Sequence, residues 1–180
     1  MQRVGVKLFE KAPAKLAENT WRPLNMLKSP MAAASPKALS SLLPNCSENE
    51  ALIIMPESGQ VDSTVFYFPG CGSERLFSDI GAASIYLLTK NNIRVVLPPP
   101  FLCCGFPAKV NAKKKMAGEI SLRDTIILSQ IKEMLGHFVF DRFLISCGTC
   151  RESLHEIGCE EIFNCEIEDI SHYVLETKSW

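Results

Sequence analysis

Residues 64–72, Thr64-Val-Phe-Tyr-Phe-Pro-Gly-Cys-Gly72, predict how this chain folds. The β-branched and aromatic side chains of Thr64–Phe68 favour a buried β-strand, and the Pro-Gly pair that follows favours a turn at its end. A cysteine, Cys71, stands directly after that turn. The stretch is therefore a strand that leads into a cysteine-bearing loop.

The same order of strand, turn and cysteine occurs twice more along the chain. Ile93–Leu97 predicts a strand before the adjacent pair Cys103-Cys104, and Phe143–Ile145 predicts one before Cys147 and Cys150. The spacing of the five cysteines is C-x31-CC-x42-C-x2-C, and three of them are followed directly by glycine. Three loops with this composition indicate one shared site rather than a structural core.

Helical segments separate the predicted strands. Apolar residues recur at helical spacing in the segments from Glu74 to about Lys90, from about Asn111 to Leu135, from Cys150 to about Ile157 and from Ile170 to Glu176, and Glu161–Phe163 predicts a fourth strand. Strands that alternate with helices are typical of a parallel sheet. We therefore expect an α/β fold with a small parallel sheet of about four strands.

Ligands of such sheets bind at the carboxyl ends of the strands. Each of the three cysteine groups follows a predicted strand, so all five cysteines are expected at the same edge of the sheet. This agreement between the order of elements and the positions of the cysteines is the strongest inference from the pattern alone.

Residues 1–60 differ from the remainder. Prolines at positions 23, 30, 36, 44 and 56 interrupt any long helix, and no sustained helical or strand period appears. We interpret 1–60 as an irregular N-terminal arm or linker that wraps a partner domain, and 61–180 as the cysteine-rich domain.

The overall composition excludes several functional classes. Lys and Arg number 19 against 20 Asp and Glu, so no broad basic surface is available for nucleic acid. No apolar run is long enough for a transmembrane segment, and the N-terminus lacks the apolar core of a signal peptide. We expect a cytoplasmic chain, peripheral to a membrane only through partners. Eight cysteines in a reducing compartment indicate metal or redox chemistry rather than disulfides.

The thiolates of Cys71, Cys103, Cys104, Cys147 and Cys150 are predicted metal ligands. Thiolates select soft metals, and a C-x2-C turn suits both zinc and iron–sulfur sites. Adjacent cysteines point in different directions and five ligands exceed the four of a structural zinc, so an iron–sulfur centre is favoured and zinc is the alternative. Cys46, Cys159 and Cys165 follow no such turn, and we assign them packing roles.

Three segments carry a resemblance to a known family. FPGCGSERLF, LPPPFLCCGFP and ISCGTCRESL resemble the cysteine-rich CCG domain of the heterodisulfide reductase B subunit and of the iron–sulfur subunits of glycolate and lactate oxidising enzymes. The amino-acid sequences of these segments are most similar to the C-terminal end of fused FAD-linked oxidase/Fe–S oxidoreductases. The resemblance covers about residues 60–177.

The resemblance implies a Rossmann-like three-layer lobe whose five cysteines hold a [4Fe-4S] cluster, including the non-cubane type known in the family. It also implies a flavin-containing partner domain or subunit, with FAD only on that partner, and a further Fe–S subunit. The chain has one CCG repeat where the family normally has two, and it has no glycine-rich dinucleotide fingerprint. It therefore resembles a fragment or subunit, an oxidoreductase component that needs a partner for turnover.

Three functions remain open from the sequence. The first is an electron-transfer module of a FAD-linked, 2-hydroxy-acid type oxidoreductase. The second is disulfide reduction at the cluster, as in heterodisulfide reductase, and the third is a zinc-stabilised interaction module. The sequence predicts no catalytic residue for any of them.

Overall fold

A computed structural model describes residues 34–44, 50–100 and 102–176 of the protein. The chain divides into two units, Met1–Pro36 and Lys37–Trp180, and every helix and strand of the described residues belongs to the second. Most of the predicted arm, residues 1–33 and 45–49, lies outside the described residues, and so does Cys46.

The second unit is built on a five-stranded sheet. Its strands are β1 (Leu52–Ile54), β2 (Ser63–Phe68), β3 (Ile93–Leu97), β4 (Arg142–Ile145) and β5 (Ile167–Asp169). The spatial order is β1-β3-β2-β4-β5, and every pair is parallel except β1 with β3. The α/β fold with a mostly parallel sheet is confirmed. The additional strand, β1, comes from the segment that we assigned to the arm.

Within the described residues, six α-helices accompany the sheet. They are α1 (Ser78–Lys90), α2 (Phe106–Val110), α3 (Lys114–Met134), α4 (Gly148–Glu156), α5 (Cys159–Phe163) and α6 (Ile170–Glu176), with a 3-10 turn at Leu39–Leu42 and a π-helical turn at Gly72–Leu76. None of these described helices combines the length and the apolar character that crossing a membrane requires.

Successive side chains of β2 point to opposite faces of the sheet, and helices cover both faces, so the fold has three layers. Phe66 and Phe68 face a core that includes buried side chains of α3, α4 and α5, whereas Val65 and Tyr67 face a core with α1 and α6. All four side chains are at most 1% exposed. A strand covered on both faces explains why Thr64–Phe68 is a continuous apolar run rather than an alternating one.

The predicted strand at Glu161–Phe163 is wrong, because this segment lies in helix α5. Gly158 and Asn164 adopt left-handed conformations on either side of it and confine the chain to a single helical turn. Cys159 and Phe163, four residues apart, are both buried, which is the spacing of a helix face. The strand at this edge of the sheet is β5, a few residues later.

The strand order places a topological switch beside β2. The chain passes from β2 to β3 on one side and then to β4 on the other side of β2. At such a switch the loops that follow neighbouring strands separate and leave a crevice at the carboxyl edge. The loops that follow β2, β3 and β4 lie at this edge.

Candidate metal centre

The three cysteine-bearing loops lie at the carboxyl edge of the sheet. Cys71 follows β2, the pair Cys103-Cys104 follows β3, and Cys147 and Cys150 follow β4. Because these strands are neighbours, their loops lie side by side. We refer to the five residues as the five-cysteine site.

The thiols of the site interact in one series. Cys103 interacts with Cys71 and with Cys104. Cys104 also interacts with Cys150, which in turn interacts with Cys147. The structure thus brings together all five cysteines that the sequence singles out, while their role as metal ligands stays a prediction.

The thiols alternate in their affinity for protons. Hydrogen bonds from Cys104 and Cys71 hold the pKa of Cys103 far below its usual value, and the hydrogen bond from Cys104 lowers the pKa of Cys150. The hydrogen bonds to Cys103, together with burial, raise the pKa of both Cys71 and Cys104. Two sulfurs therefore carry charge more readily than their neighbours, because thiolates in contact repel one another.

Burial differs among the five cysteines and is greatest at the middle of the series. Cys71 is exposed, Cys103 and Cys147 are half-buried, and Cys104 and Cys150 are 7% and 3% exposed. The two buried thiols belong to the core formed by β2, β4 and α4. The site therefore has an apolar floor and one side open to solvent.

Backbone N–H groups stabilise negative charge at the adjacent cysteines. The amide of Gly105 donates a hydrogen bond to Cys103, and the amide of Phe106 donates one to Cys104. Both amides lie at the start of α2, for which Gly105 is the N-cap residue with φ 77°. A left-handed glycine at this point lets two consecutive N–H groups face two consecutive sulfurs.

Gly70 is the glycine that the geometry of the site requires most. Its φ is +61°, and a Cβ atom at this position would lie 3.1 Å from Sγ of Cys150. Gly72 and Gly148, which follow cysteines in the sequence, have no atom within 4 Å of such a Cβ. The glycine before Cys71 is thus more constrained than the glycine after it.

The donor set of the site fits a soft metal. A metal binds the deprotonated thiol, and its positive charge offsets the interaction with Cys103 and the burial that raise the pKa of Cys71 and Cys104. A cation is therefore the group that would allow all five thiols to ionise together. The residues present fit a bound metal or iron–sulfur cluster.

The other described cysteines lie outside this series. Cys159 is fully buried on α5, and burial raises its pKa to about 12. Cys165 is half-buried and lines an open cavity of about 560 Å³ near the amino ends of β2 and β4, and burial raises its pKa to about 11. Neither thiol is positioned to join the five-cysteine site.

Sequence reasoning missed two polar side chains near the site. Tyr67 is fully buried on β2, and its hydroxyl forms a hydrogen bond with Ser146, the residue before Cys147. Asp124 is 1% exposed on α3 and acts electrostatically on Cys103. The available signals were a tyrosine within a buried strand and an acidic residue four positions before Leu128 on the buried face of a helix.

Comparison with known protein families shows which family this chain belongs to. The profile of the cysteine-rich domain named CCG matches residues 65–155, half of the chain. The chain belongs to the CCG cysteine-rich domain family. The matched range contains all five site cysteines, strands β3 and β4, and most of β2. No curated protein and no solved structure shows significant similarity to this CCG domain.

Proposed function

We propose that this CCG domain is an electron-transfer module whose five-cysteine site holds an iron–sulfur cluster. One observation carries the proposal: five thiols from three loops interact in a single series at the edge where α/β sheets bind their ligands. Membership of the CCG family is consistent with this assignment.

The spacing of the sulfurs supports a centre with several metal atoms. Among the described residues, no three cysteine sulfurs lie within 4.8 Å of one another. Three ligands of one tetrahedral zinc would stand about 3.8 Å apart, at a Zn–S distance of about 2.3 Å. The site is thus wider than a mononuclear zinc site, which favours iron–sulfur over zinc.

The adjacent pair supports the same interpretation. Cys103 interacts with the exposed Cys71, whereas Cys104 interacts with the buried Cys150. The two neighbouring cysteines also interact with each other, so the pair lies in the middle of the series and links its two halves. A centre with several metal atoms can use such a chain of five sulfurs, whereas one zinc ion takes four ligands.

The distribution of burial suits electron relay. The thiols of Cys104 and Cys150 and the apolar side chains around them would shield one side of a cluster from water, which tunes its reduction potential. The exposed side, at Cys71, would face a donor or acceptor. The amides of Gly105 and Phe106 would partly balance the charge of the thiolates.

We further propose a flavin-bearing oxidoreductase domain or subunit as the partner, in the manner that the resemblance implies. Of the predicted arm, residues 1–36 would contact this partner, since Leu52–Ile54 forms strand β1 of the cysteine-rich domain, and a cytoplasmic compartment would keep the thiols reduced. Disulfide reduction at the cluster is the second candidate, because the half-buried Cys103 and exposed Cys71 leave one side of the site accessible. Oxidation of the reduced cluster by added disulfides would distinguish this activity from relay alone.

Anaerobic reconstitution with iron and sulfide tests the proposal. We expect the wild-type chain to take up several iron atoms with matching sulfide and to develop broad visible absorption. Cys165→Ser is the matched control, because this thiol is half-buried but lies apart from the site. A chain that takes up no iron while all five thiols are reduced contradicts the proposal.

A further inference from the structure

Asp124 is an unusual residue for the interior of this fold. It lies on the core-facing stripe of α3 with Leu128 and Ile131, and it is 1% exposed. Neither of its carboxylate oxygens has a hydrogen-bond partner among the described residues. Buried carboxylates are normally paired or hydrogen-bonded, so this arrangement requires an explanation.

The only cation near the carboxylate within the described part of the chain is Arg123, from the same helix. Its Nε lies 3.5 Å from Asp124 Oδ1, which is too long for a good hydrogen bond. The side chain of Arg123 is 44% exposed. The ion-pair partner of the buried carboxyl group therefore reaches solvent.

Charged and titratable groups also lie on the loop and the helices that pack against α3. Cys103, in the loop after β3, raises the affinity of Asp124 for a proton, and Cys159 on α5 is itself affected by the charge of Asp124. Lys109 on α2 is held in an ion pair with Glu156, and Glu160 on α5 accepts a hydrogen bond from His155. Neither of these two pairs neutralises Asp124.

We propose that Asp124 binds the proton that accompanies one-electron reduction of the centre held by the five cysteines. The proposal rests on the proposed function, since it requires a redox centre at the site. One electron comes from a one-electron donor outside the protein, and one proton passes from solvent to a carboxylate oxygen of Asp124. The negative charge added to the centre is thereby balanced by the loss of one negative charge on α3.

The electrostatics of the resting protein support this role. Burial raises the pKa of Asp124 to about 7, although Arg123 opposes the shift. Near neutral pH the carboxyl group is therefore divided between its two protonation states. A further negative charge near Cys103 favours the protonated state, because like charges disfavour ionisation. Reduction and proton binding then become linked, as any two coupled binding events are.

The dependence of the reduction potential on pH tests the proposal. The full chain is loaded with iron and sulfide, and its potential is measured by optical redox titration at several pH values. For the wild type we expect a constant potential at acid pH and a fall of about 59 mV per pH unit once the oxidised form loses its proton, which corresponds to a tenfold change per unit for a one-electron couple. Asp124→Asn is expected to give a potential that does not change with pH.

A control variant on the same helix and a second, spectroscopic measurement make the test of Asp124 decisive. Glu119→Gln removes a carboxylate that is 68% exposed on the same helix, and it should retain the wild-type slope. If Asp124→Asn does not fold, infrared difference spectra of the wild type labelled with ¹³C-aspartate still test the idea. Reduction should then produce the absorption of a protonated, labelled carboxyl group.

Two outcomes overturn the role of Asp124: a wild-type potential that is independent of pH in iron-loaded protein, or a variant Asp124→Asn that keeps the slope. Absence of the labelled carboxyl signal has the same meaning. Iron and sulfide content is measured first on every sample. A chain without iron overturns the proposed function and with it the electron step, whereas an iron-loaded chain without the slope overturns only the proton site.

Discussion

Gly70 and Cys150 approach each other so closely that a methyl group at Gly70 would crowd the thiol of Cys150. A Cβ atom at Gly70 would lie 3.1 Å from Sγ of Cys150, and the φ of Gly70 is +61°. The turn that ends β2 thus provides the surface against which a buried thiol of the β4 loop rests. Two of the three cysteine loops are fitted together at this point.

Gly70→Ala is therefore expected to damage the site in two ways. The left-handed conformation would cost about 1–2 kcal/mol of folding stability, and the added methyl group would displace Cys150. We predict a lower unfolding midpoint in urea and a reduced iron content after reconstitution. Gly72→Ala, in the same loop but with no atom within 4 Å of its Cβ, should match the wild type in both measurements. Equal iron content in the two variants would contradict this role for Gly70.

Substitution of a buried site thiol should abolish cluster binding. Cys104→Ser removes the sulfur that interacts with both Cys103 and Cys150. We expect most of the bound iron and the visible absorption to be lost, with near-wild-type circular dichroism of the metal-free protein. Cys165→Ser should retain both iron and absorption. Full iron binding by Cys104→Ser would remove this residue from the ligand set.

The hydroxyl group of Tyr67 is expected to hold two of the cysteine loops in place. It forms hydrogen bonds with Ser146, in the loop that carries Cys147, and with Ser73, in the loop that carries Cys71. Tyr67→Phe should reduce the free energy of unfolding by about 1–2 kcal/mol, because it leaves buried hydroxyl groups without a partner. It should also accelerate the loss of iron to a chelator.

Tyr173→Phe is the control for this prediction. The hydroxyl of Tyr173 donates a hydrogen bond of 2.8 Å to Asp141, which precedes β4, far along the strand from the cysteine loop. A similar loss of stability without faster release of iron is expected. If both variants release iron at the same rate, Tyr67 contributes only to general stability.

The stability of the metal-free protein should depend on pH through Asp124. Its pKa is raised from 3.8 to about 7 in the folded protein, mainly by burial. Between these values the folded state binds more protons than the unfolded state, so stability falls as pH rises. The penalty is absent below about pH 4 and complete above about pH 7.

Asp124→Asn should therefore stabilise the metal-free protein at pH 8 by roughly 2–4 kcal/mol, since one pKa unit corresponds to about 1.4 kcal/mol. The gain should shrink towards zero as the pH approaches 4. Urea denaturation of both proteins across this range measures the difference. A stability difference that does not vary with pH would show that Asp124 keeps its ordinary pKa in the folded protein.

Much of the fold was predictable because the strongest patterns lie in the buried elements. The strand Ile93–Leu97 and the helix Ile170–Glu176 begin and end where the sequence predicts. Two-sided burial makes each central strand a short, continuous apolar run. The segment 161–163 was assigned wrongly because three residues do not distinguish the period of a helix from that of a strand.

The convergence of the five cysteines was also predictable from the sequence, but the residues that surround and support them were not. Cysteine spacing and strand order together identified all five thiols that the structure brings into contact. The constraint on Gly70 arises from Cys150, a residue eighty positions later, so no local pattern reveals it. Asp124 was overlooked because an acidic residue in a helix is normally solvated, and only the packing of α3 shows that it is buried.

The metal content of wild-type protein purified without oxygen tests the central claim most directly. Iron, sulfide and zinc are measured per chain on the same sample, together with the visible spectrum. The account predicts several iron atoms with matching sulfide in each chain and no stoichiometric zinc. One zinc per chain, with no sulfide and no visible absorption, would contradict it.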